Sequence, residues 1–289
     1  MKKIVLGTAQ FGQNYGVANM AGQPDAEAIS NILNFAAENN VKAIDTAIGY
    51  GNCEIQLGKS GVGCFDIITK LPEVPKSSGN IYDWIRSQVE GSLTRLEVSQ
   101  LYGLLVHRPS QLLHSDGYMI YKALDQLKAE GLIHKIGVSI YEPNELSYLF
   151  KQWYFDLVQA PFNVLDRRLH STGWLGYLKS AGVEVHVRSI FLQGLLLMSK
   201  SQIPNKFNFW NSLWEEWWHL LNVLKISPLQ ACLAVPHSYD GINKIVVGID
   251  TLDQFRQIKE ALKGVYKVPL PNLSCDDENL INPSKWAKF

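Results

Sequence analysis

Four side chains of four different chemical kinds sit at or just beyond the ends of short apolar runs. They are Asp45 and Tyr50 in "AIDTAIGYGN", Lys70 in "FDIITK" and His107 in "LYGLLVH". Brought together, they could protonate an oxygen. When hydride adds to a carbonyl carbon, an alkoxide develops and needs a proton as it forms. A phenol releases its proton reluctantly near neutral pH, and an adjacent ammonium stabilises the phenolate, so Tyr50 beside Lys70 would be a competent general acid. An ammonium in a half-buried site needs a counter-ion, a part suited to Asp45. His107 could donate to the carbonyl oxygen and orient it. Taken singly, each residue has a plainer reading: Asp45 as a strand-end cap, Lys70 as a solvated end, His107 bonded to loop backbone, Tyr50 as a packing aromatic. Only the joint arrangement points to chemistry.

Such an arrangement needs elements that bring distant segments to one place. Eight β-rich runs recur along the chain, at 3–9, 41–47, 65–70, 101–107, 135–139, 156–162, 183–189 and 244–249. They are nearly continuously apolar, as strands buried on both faces should be. Between most of them lie stretches with apolar spacings of three and four. In "DAEAISNILNFAAENN", Ala28, Ile29, Ile32, Leu33 and Ala36 form one stripe, with Asp25 placed to cap the helix. "GYMIYKALDQLKAEGL" repeats the pattern and offers Gly131 as its end. Eight strands alternating with helices predict a single-domain (β/α)8 TIM barrel. A doubly wound sheet is the rival, but no GxGxxG stands at a strand-to-helix turn. Barrel sites form where strands end and βα loops begin, which is where the four residues lie.

Bulk properties agree and exclude other classes. The 289 residues are 46% hydrophobic and 19% charged, ordinary for a globular chain. Lys plus Arg and Asp plus Glu are both 27, and with no basic run of five a nucleic-acid partner is not expected. The opening "MKKIVLGTAQFGQ" has too short an apolar run for a leader, and no stretch has the length of a membrane helix. Cys53, Cys64, Cys232 and Cys275 show no metal-like spacing, so no metal is expected and a reducing cytoplasm is.

The motifs together resemble the aldo-keto reductase superfamily over nearly the whole chain. "AIDTAIGYGNCEIQLG" is similar to that family's strand-2 signature, "IITK" to its lysine segment, "LLVHRP" to its histidine segment, and "GLIHKIGVSIYEP" and "LVQAPFNVLDRR" to its fifth and sixth strands. The resemblance implies an NAD(P)H-dependent reductase of aldehydes or ketones that uses Asp45, Tyr50, Lys70 and His107. It favours NADPH as cofactor, with NADH the alternative. It implies that Ser139 and Gln159 meet the nicotinamide carboxamide, that the backbone near Gly7 and Thr8 lies beside the cofactor, and that the loop and helix after strand 8 hold its adenosine end, with Gly248, Asp250, Thr251 and Gln254 as candidate contacts.

The chain also departs from the family. Ile140 follows Ser139 where an asparagine is usual, and Arg188 stands where an aromatic usually stacks on the nicotinamide. A guanidinium plane can stack on a flat ring or hold an anionic group, or it can simply bond loop carbonyls. Gln254 and Ile258 occupy positions where relatives carry arginine and asparagine, and Asp250 lies in the same loop, where an acid would favour a ribose hydroxyl over a phosphate. Thr251 alternatively reads as a plain helix cap.

For the substrate side, Phe11, Tyr15 and Trp210 are candidates to line the opening, and residues 264–289 form a tail that is a candidate cover for the barrel mouth. Trp210, Trp214, Trp217 and Trp218 recur at helical spacing, a stripe read first as packing and second as an aromatic wall. Two other functions stay open: a cofactor-binding regulatory subunit on the same scaffold, and a barrel aldolase or lyase using Lys70 as a Schiff-base nucleophile. The substrate and oligomeric state are not legible.

Overall fold

The computed structural model describes residues 1–14, 16–17, 19, 22–265 and 273–288, with no side-chain detail at 287 and 288. Eight parallel strands close into a barrel in sequence order: β1 (Ile4–Gly7), β2 (Ala43–Asp45), β3 (Asp66–Leu71), β4 (Leu101–Val106), β5 (Ile133–Ser139), β6 (Leu157–Pro161), β7 (Glu184–Arg188) and β8 (Lys244–Gly248). β1 closes the ring by pairing with both β2 and β8. Each predicted run therefore forms a strand; six lie inside the apolar run, while β3 reaches Leu71, one residue past its run, and β5 starts at Ile133, two residues before its run.

The helices along the chain are α1 (Ala9–Gly12), α2 (Ala26–Glu38), α3 (Cys53–Lys59), α4 (Ile81–Leu96), α5 (Gly117–Ala129), α6 (Asn144–Leu149), α7 (Arg168–Ser171), α8 (Trp174–Ser180), α9 (Asn211–Leu224), α10 (Pro228–His237), α11 (Leu252–Lys263) and α12 (Glu278–Ile281). Asp25 caps α2 by accepting from the Ala28 amide at 2.8 Å, and Ile29, Ile32, Leu33 and Ala36 are its buried stripe. α5 ends just before Gly131, which takes a left-handed φ of 80°. No helix among the described residues is long and apolar enough to cross a membrane.

Strand alternation divides the apolar residues into two cores. Val5, Ala43, Ile68, Leu105, Leu157 and Val246 fill the barrel interior. The larger core lies between strands and helices and includes Ile4, Leu6, Ile44, Ile67, Leu104 and Val158. The tryptophan helix belongs to this outer core: Trp214 and Trp217 are buried, and the Trp214 indole donates to the Phe207 carbonyl at 3.0 Å. The packing reading of that stripe describes its place.

β3 shows how alternation positions a functional side chain. Lys70 and its neighbour Thr69 point to opposite sides of the strand. The Thr69 hydroxyl donates to Glu54 Oε1 of α3 at 2.8 Å, while Ser92 and Arg95 of α4 donate to the same carboxylate at 3.0 and 2.9 Å. Glu54 is 3% exposed, so this network clamps β3, α3 and α4 from behind while Lys70 faces the interior. Removing its acceptor strands two buried hydroxyls and a guanidinium. Glu54→Ala should therefore lower unfolding stability by about 2–4 kcal/mol in urea titrations, and a loss under about 0.5 kcal/mol would show the network to be dispensable.

Candidate active site

Asp45 closes β2, Lys70 is the penultimate residue of β3, and His107 follows β4 directly. Adjacent parallel strands thus deliver all three to one rim, and the loop after β2 brings Tyr50 over them. The Lys70 ammonium donates to Asp45 Oδ1 at 2.6 Å and to the Thr46 carbonyl at 2.8 Å. It stands 5.1 Å from the centre of the Tyr50 ring, whose edge-on neighbour is the His107 imidazole at 6.2 Å between centroids. The Lys70 side chain is 2% exposed. Its burial would by itself lower its pKa, but Asp45 and Tyr50 together outweigh that and raise it, so the ammonium is held charged.

Asp45 has a second donor. Gln159 Nε2 meets Asp45 Oδ2 at 2.6 Å, and Ser139 Oγ lies 3.1 Å from Gln159 Oε1. A carboxylate only accepts, so the Gln159 amide must face it with nitrogen; its oxygen then faces Ser139, which must donate. The row is therefore directional. Ser139 commits its proton to Gln159, and only its lone pairs remain for a ligand.

Arg188 ends β7 with its guanidinium 4.7 Å from the Tyr141 ring centre. Nη2 donates to the Ile140 carbonyl at 2.9 Å and Nη1 to Ser189 Oγ at 3.3 Å. The position after Ser139, where the resemblance expects an asparagine side chain, thus serves through its backbone carbonyl, and the Ile140 side chain is buried. Ser189 beside it takes a left-handed φ of 60°, with its carbonyl held by Asn163 Nδ2 at 3.0 Å.

These residues line a cavity of ≈ 860 Å³. It runs from the barrel mouth at Tyr50 and His107, along Ser139, Gln159 and Arg188, past Gly248 to Asp250, Gln254 and Gln257 at the start of α11. Gly7 and Thr8 line it as well. The cavity suits an extended ligand. Gly248 leaves the wall open: a Cβ there would meet the Gln10 side-chain nitrogen at 2.5 Å.

Several expected residues fall elsewhere. Phe11 is fully buried in the outer core rather than in the cavity wall. Trp210 is turned toward the tail, its indole donating to Asp277 Oδ2 at 3.0 Å, and it does not line the cavity. Tyr15 lies outside the described residues. Thr251 caps α11 by accepting from the Gln254 amide at 3.2 Å and is likewise absent from the wall. The described part of the tail packs on the loop after β6 and on 205–210: the Cys275 amide donates to the Leu165 carbonyl and Trp286 meets the Phe207 ring edge-on at 4.8 Å. No described tail residue lines the cavity.

Three residues that shape the site were not singled out from sequence: Gly12, Gly51 and Tyr141. A Cβ on Gly12 would lie 1.8 Å from the Tyr50 carbonyl oxygen, and one on Gly51, whose φ is 58°, would lie 2.3 Å from the Gly12 carbonyl. The loops after β1 and β2 therefore touch backbone to backbone, and this contact seats Tyr50. The glycines in "FGQNYG" and "GYGN" were the available signal, but their partners are 38–39 residues apart.

The chain belongs to the aldo/keto reductase family, whose profile matches residues 3–267. It is 24% identical over 263 residues to the NADH-specific methylglyoxal reductase of Escherichia coli, covering 78% of each chain. It is 29% identical over 180 residues to the glyoxal reductase of Bacillus subtilis, spanning 60% of this chain and 62% of that protein's length. In fold it is similar to an aldo-keto reductase of Bacillus halodurans, with a TM-score of 0.72, 20% identity, and 91% and 87% of the two chains covered.

Two outcomes follow from the geometry. Gly12→Ala should push the Tyr50 backbone aside and depress turnover by about tenfold or more while the protein stays folded by circular dichroism; unaltered turnover would separate this contact from the site. Burial, followed by repulsion from Lys70, Arg188 and Arg108, lowers His107 from 6.5 to about 4. Between those values the unfolded chain binds the proton and the folded chain resists it. This share of stability is present above about pH 6.5 and drains as pH falls toward 4, with a limiting slope of about 1.4 kcal/mol per pH unit. His107→Gln should flatten the stability profile in that window relative to the parent protein, and parallel profiles would refute a buried neutral imidazole.

Proposed function

We propose that this chain is a nicotinamide-dependent carbonyl reductase in which Tyr50 delivers the proton. The observation that carries this reading is the buried Lys70–Asp45 ion pair, 2.6 Å long, set beneath Tyr50 and beside His107 at the mouth of the cavity. A phenol over a held ammonium can yield its proton because the phenolate left behind is stabilised where it forms. Lys70 reprotonates nothing itself; it stays charged, fixed by Asp45 and Thr46. His107, kept neutral, retains one ring N–H to direct at the substrate oxygen without adding a positive charge beside Lys70.

The residues also fit the cofactor. Ser139 has spent its proton on Gln159, so its oxygen can accept from a carboxamide N–H₂, and Arg188 presents a flat cation two strands away. Gly7 and Gly248 keep the wall beside them open to close approach. When bound, a dihydronicotinamide would supply the hydride. By resemblance the donor is NADPH, with NADH the alternative; the E. coli relative is by name NADH-specific.

The state of Lys70 supports this reading over a lyase. A Schiff-base amine must be deprotonated to attack, and here Asp45 holds the ammonium charged. The relatives' names make two-carbon and three-carbon dicarbonyls, glyoxal and methylglyoxal, the first substrates to test. The purified protein should consume reduced nicotinamide dinucleotide in the presence of such aldehydes. Tyr50→Phe should cut kcat by about 10² or more while the dinucleotide Kd moves less than about threefold. Turnover preserved in Tyr50→Phe would remove Tyr50 as proton donor. A parent protein that binds dinucleotide but consumes none with any aldehyde would favour the regulatory subunit instead.

A further inference from the structure

The far arm of the cavity has a charge pattern that bears on which dinucleotide it admits. Asp250 stands in its wall, in the loop between β8 and α11. Its carboxylate is poorly supplied with donors: Oδ2 receives a long bond from Gln254 Nε2 at 3.3 Å, and Oδ1 is buried with no hydrogen-bond partner among the described residues. Gln254 is itself locked to this loop, because its Oε1 accepts from the Asp250 amide at 2.8 Å. An acceptor-only group left short of donors is matched by a ligand hydroxyl and mismatched by a ligand anion.

The cations of α11 each have a neighbour, in two cases an exposed acid and in one an aromatic ring. α11 carries three, and Arg256 bonds Asp253 at 2.9 Å, Lys259 lies 5.4 Å from the centre of the Phe35 ring, and Lys263 bonds Glu260 at 2.7 Å. None of the three lines the cavity itself; Arg256 lines a groove beside it that shares Ser227, Leu229 and Gln257 with the cavity wall. Among the described residues its lining cations are Lys70 and Arg188, both at the barrel mouth, beside the chemistry and away from this arm. The first turn of α11 adds a second acid, Asp253. A helix N-terminus ordinarily attracts phosphate, but here the Asp250 carboxylate in the wall opposes it, while Asp253 is offset by its pair with Arg256. Burial raises the Asp250 carboxyl above its usual range, with Gln254 pulling the other way, as expected of an ion lacking partners.

We propose that Asp250 makes this arm selective for a dinucleotide with a free ribose 2′-hydroxyl, so that NADH is preferred over NADPH, reversing the preference implied by the family resemblance. The carboxylate accepts hydrogen bonds from the adenosine ribose hydroxyls, and it repels a 2′-phosphate, for which the cavity wall along this arm supplies no cation among the described residues. The proposal rests on the reductase reading of the site, since that reading places the nicotinamide end at Tyr50 and leaves this arm for the other ribose.

The test is binding, measured by calorimetry without any carbonyl substrate. The full-length protein is titrated with NADH and with NADPH at low and at moderate salt, alongside Asp250→Ser. NADH should bind at least about tenfold more tightly than NADPH, and salt should narrow the gap by screening the repulsion. Asp250→Ser should weaken NADH, strengthen NADPH, and bring the ratio of their Kd values to within about threefold of one. NADPH binding as tightly as NADH to the parent protein would overturn the selectivity and leave the reductase reading intact. A ratio unmoved by Asp250→Ser would overturn the role of Asp250. Should neither dinucleotide bind, the reductase reading fails and this inference with it. If Asp250→Ser does not fold, the parent ratio and its salt dependence decide the matter.

Discussion

One buried ion pair organises the mouth of this barrel. Taking an ammonium and a carboxylate out of water costs several kcal/mol per ion, and their mutual attraction recovers that only when the remaining hydrogen-bonding capacity is also met. Here it largely is. Lys70 reaches both Asp45 and a backbone carbonyl, and Asp45 takes a second donor from Gln159. A pair this dependent on its surroundings constrains them in turn: the Gln159 amide can face only one way, Ser139 can donate only one way, and Tyr50 sits against a cation that does not leave.

The scaffold's part is to hold those surroundings still. Strand alternation gives Lys70 to the interior and Thr69 to the Glu54 network behind it, so a purely structural cluster supports the position of a charged side chain on the opposite face. Gly12 and Gly51 press two loops together and seat Tyr50. Ile140 lends a carbonyl to Arg188, turning an apolar substitution into an anchor for a cation. In each case a residue without chemistry of its own orients one that has it.

The two ends of the cavity differ in electrostatic character. The barrel mouth carries Lys70 and Arg188 and keeps His107 neutral through burial first and their repulsion second. The arm beside α11 carries Asp250, with the helix's own cations bound to other partners. A long ligand lying across both ends would meet positive charge at the barrel mouth and negative charge beside α11.

The barrel was legible in the chain because its signals are local: eight apolar runs, helical stripes between them, and a cap such as Asp25 before the first long stripe. The four polar residues at strand ends were legible for the same reason, since parallel order alone brings the ends of β2, β3 and β4 to one rim. The orientation of side chains beyond the strands was not. Phe11 and Trp210 read as pocket aromatics, yet one is packed into the core and the other is held by Asp277, because a residue in a helical segment of only four or six residues has too little periodicity to assign it a face. Likewise the sequence offered Gly12 and Gly51 without their consequences, and Asp250 without its shortage of donors. Whether a glycine relieves a clash, or a carboxylate lacks a donor, depends on atoms tens or hundreds of residues away. Residue type and spacing determined the fold and the chemical groups at its mouth; tertiary contact alone decided which of those groups are partnered, which way their hydrogen bonds run, and which charges remain for a ligand to meet.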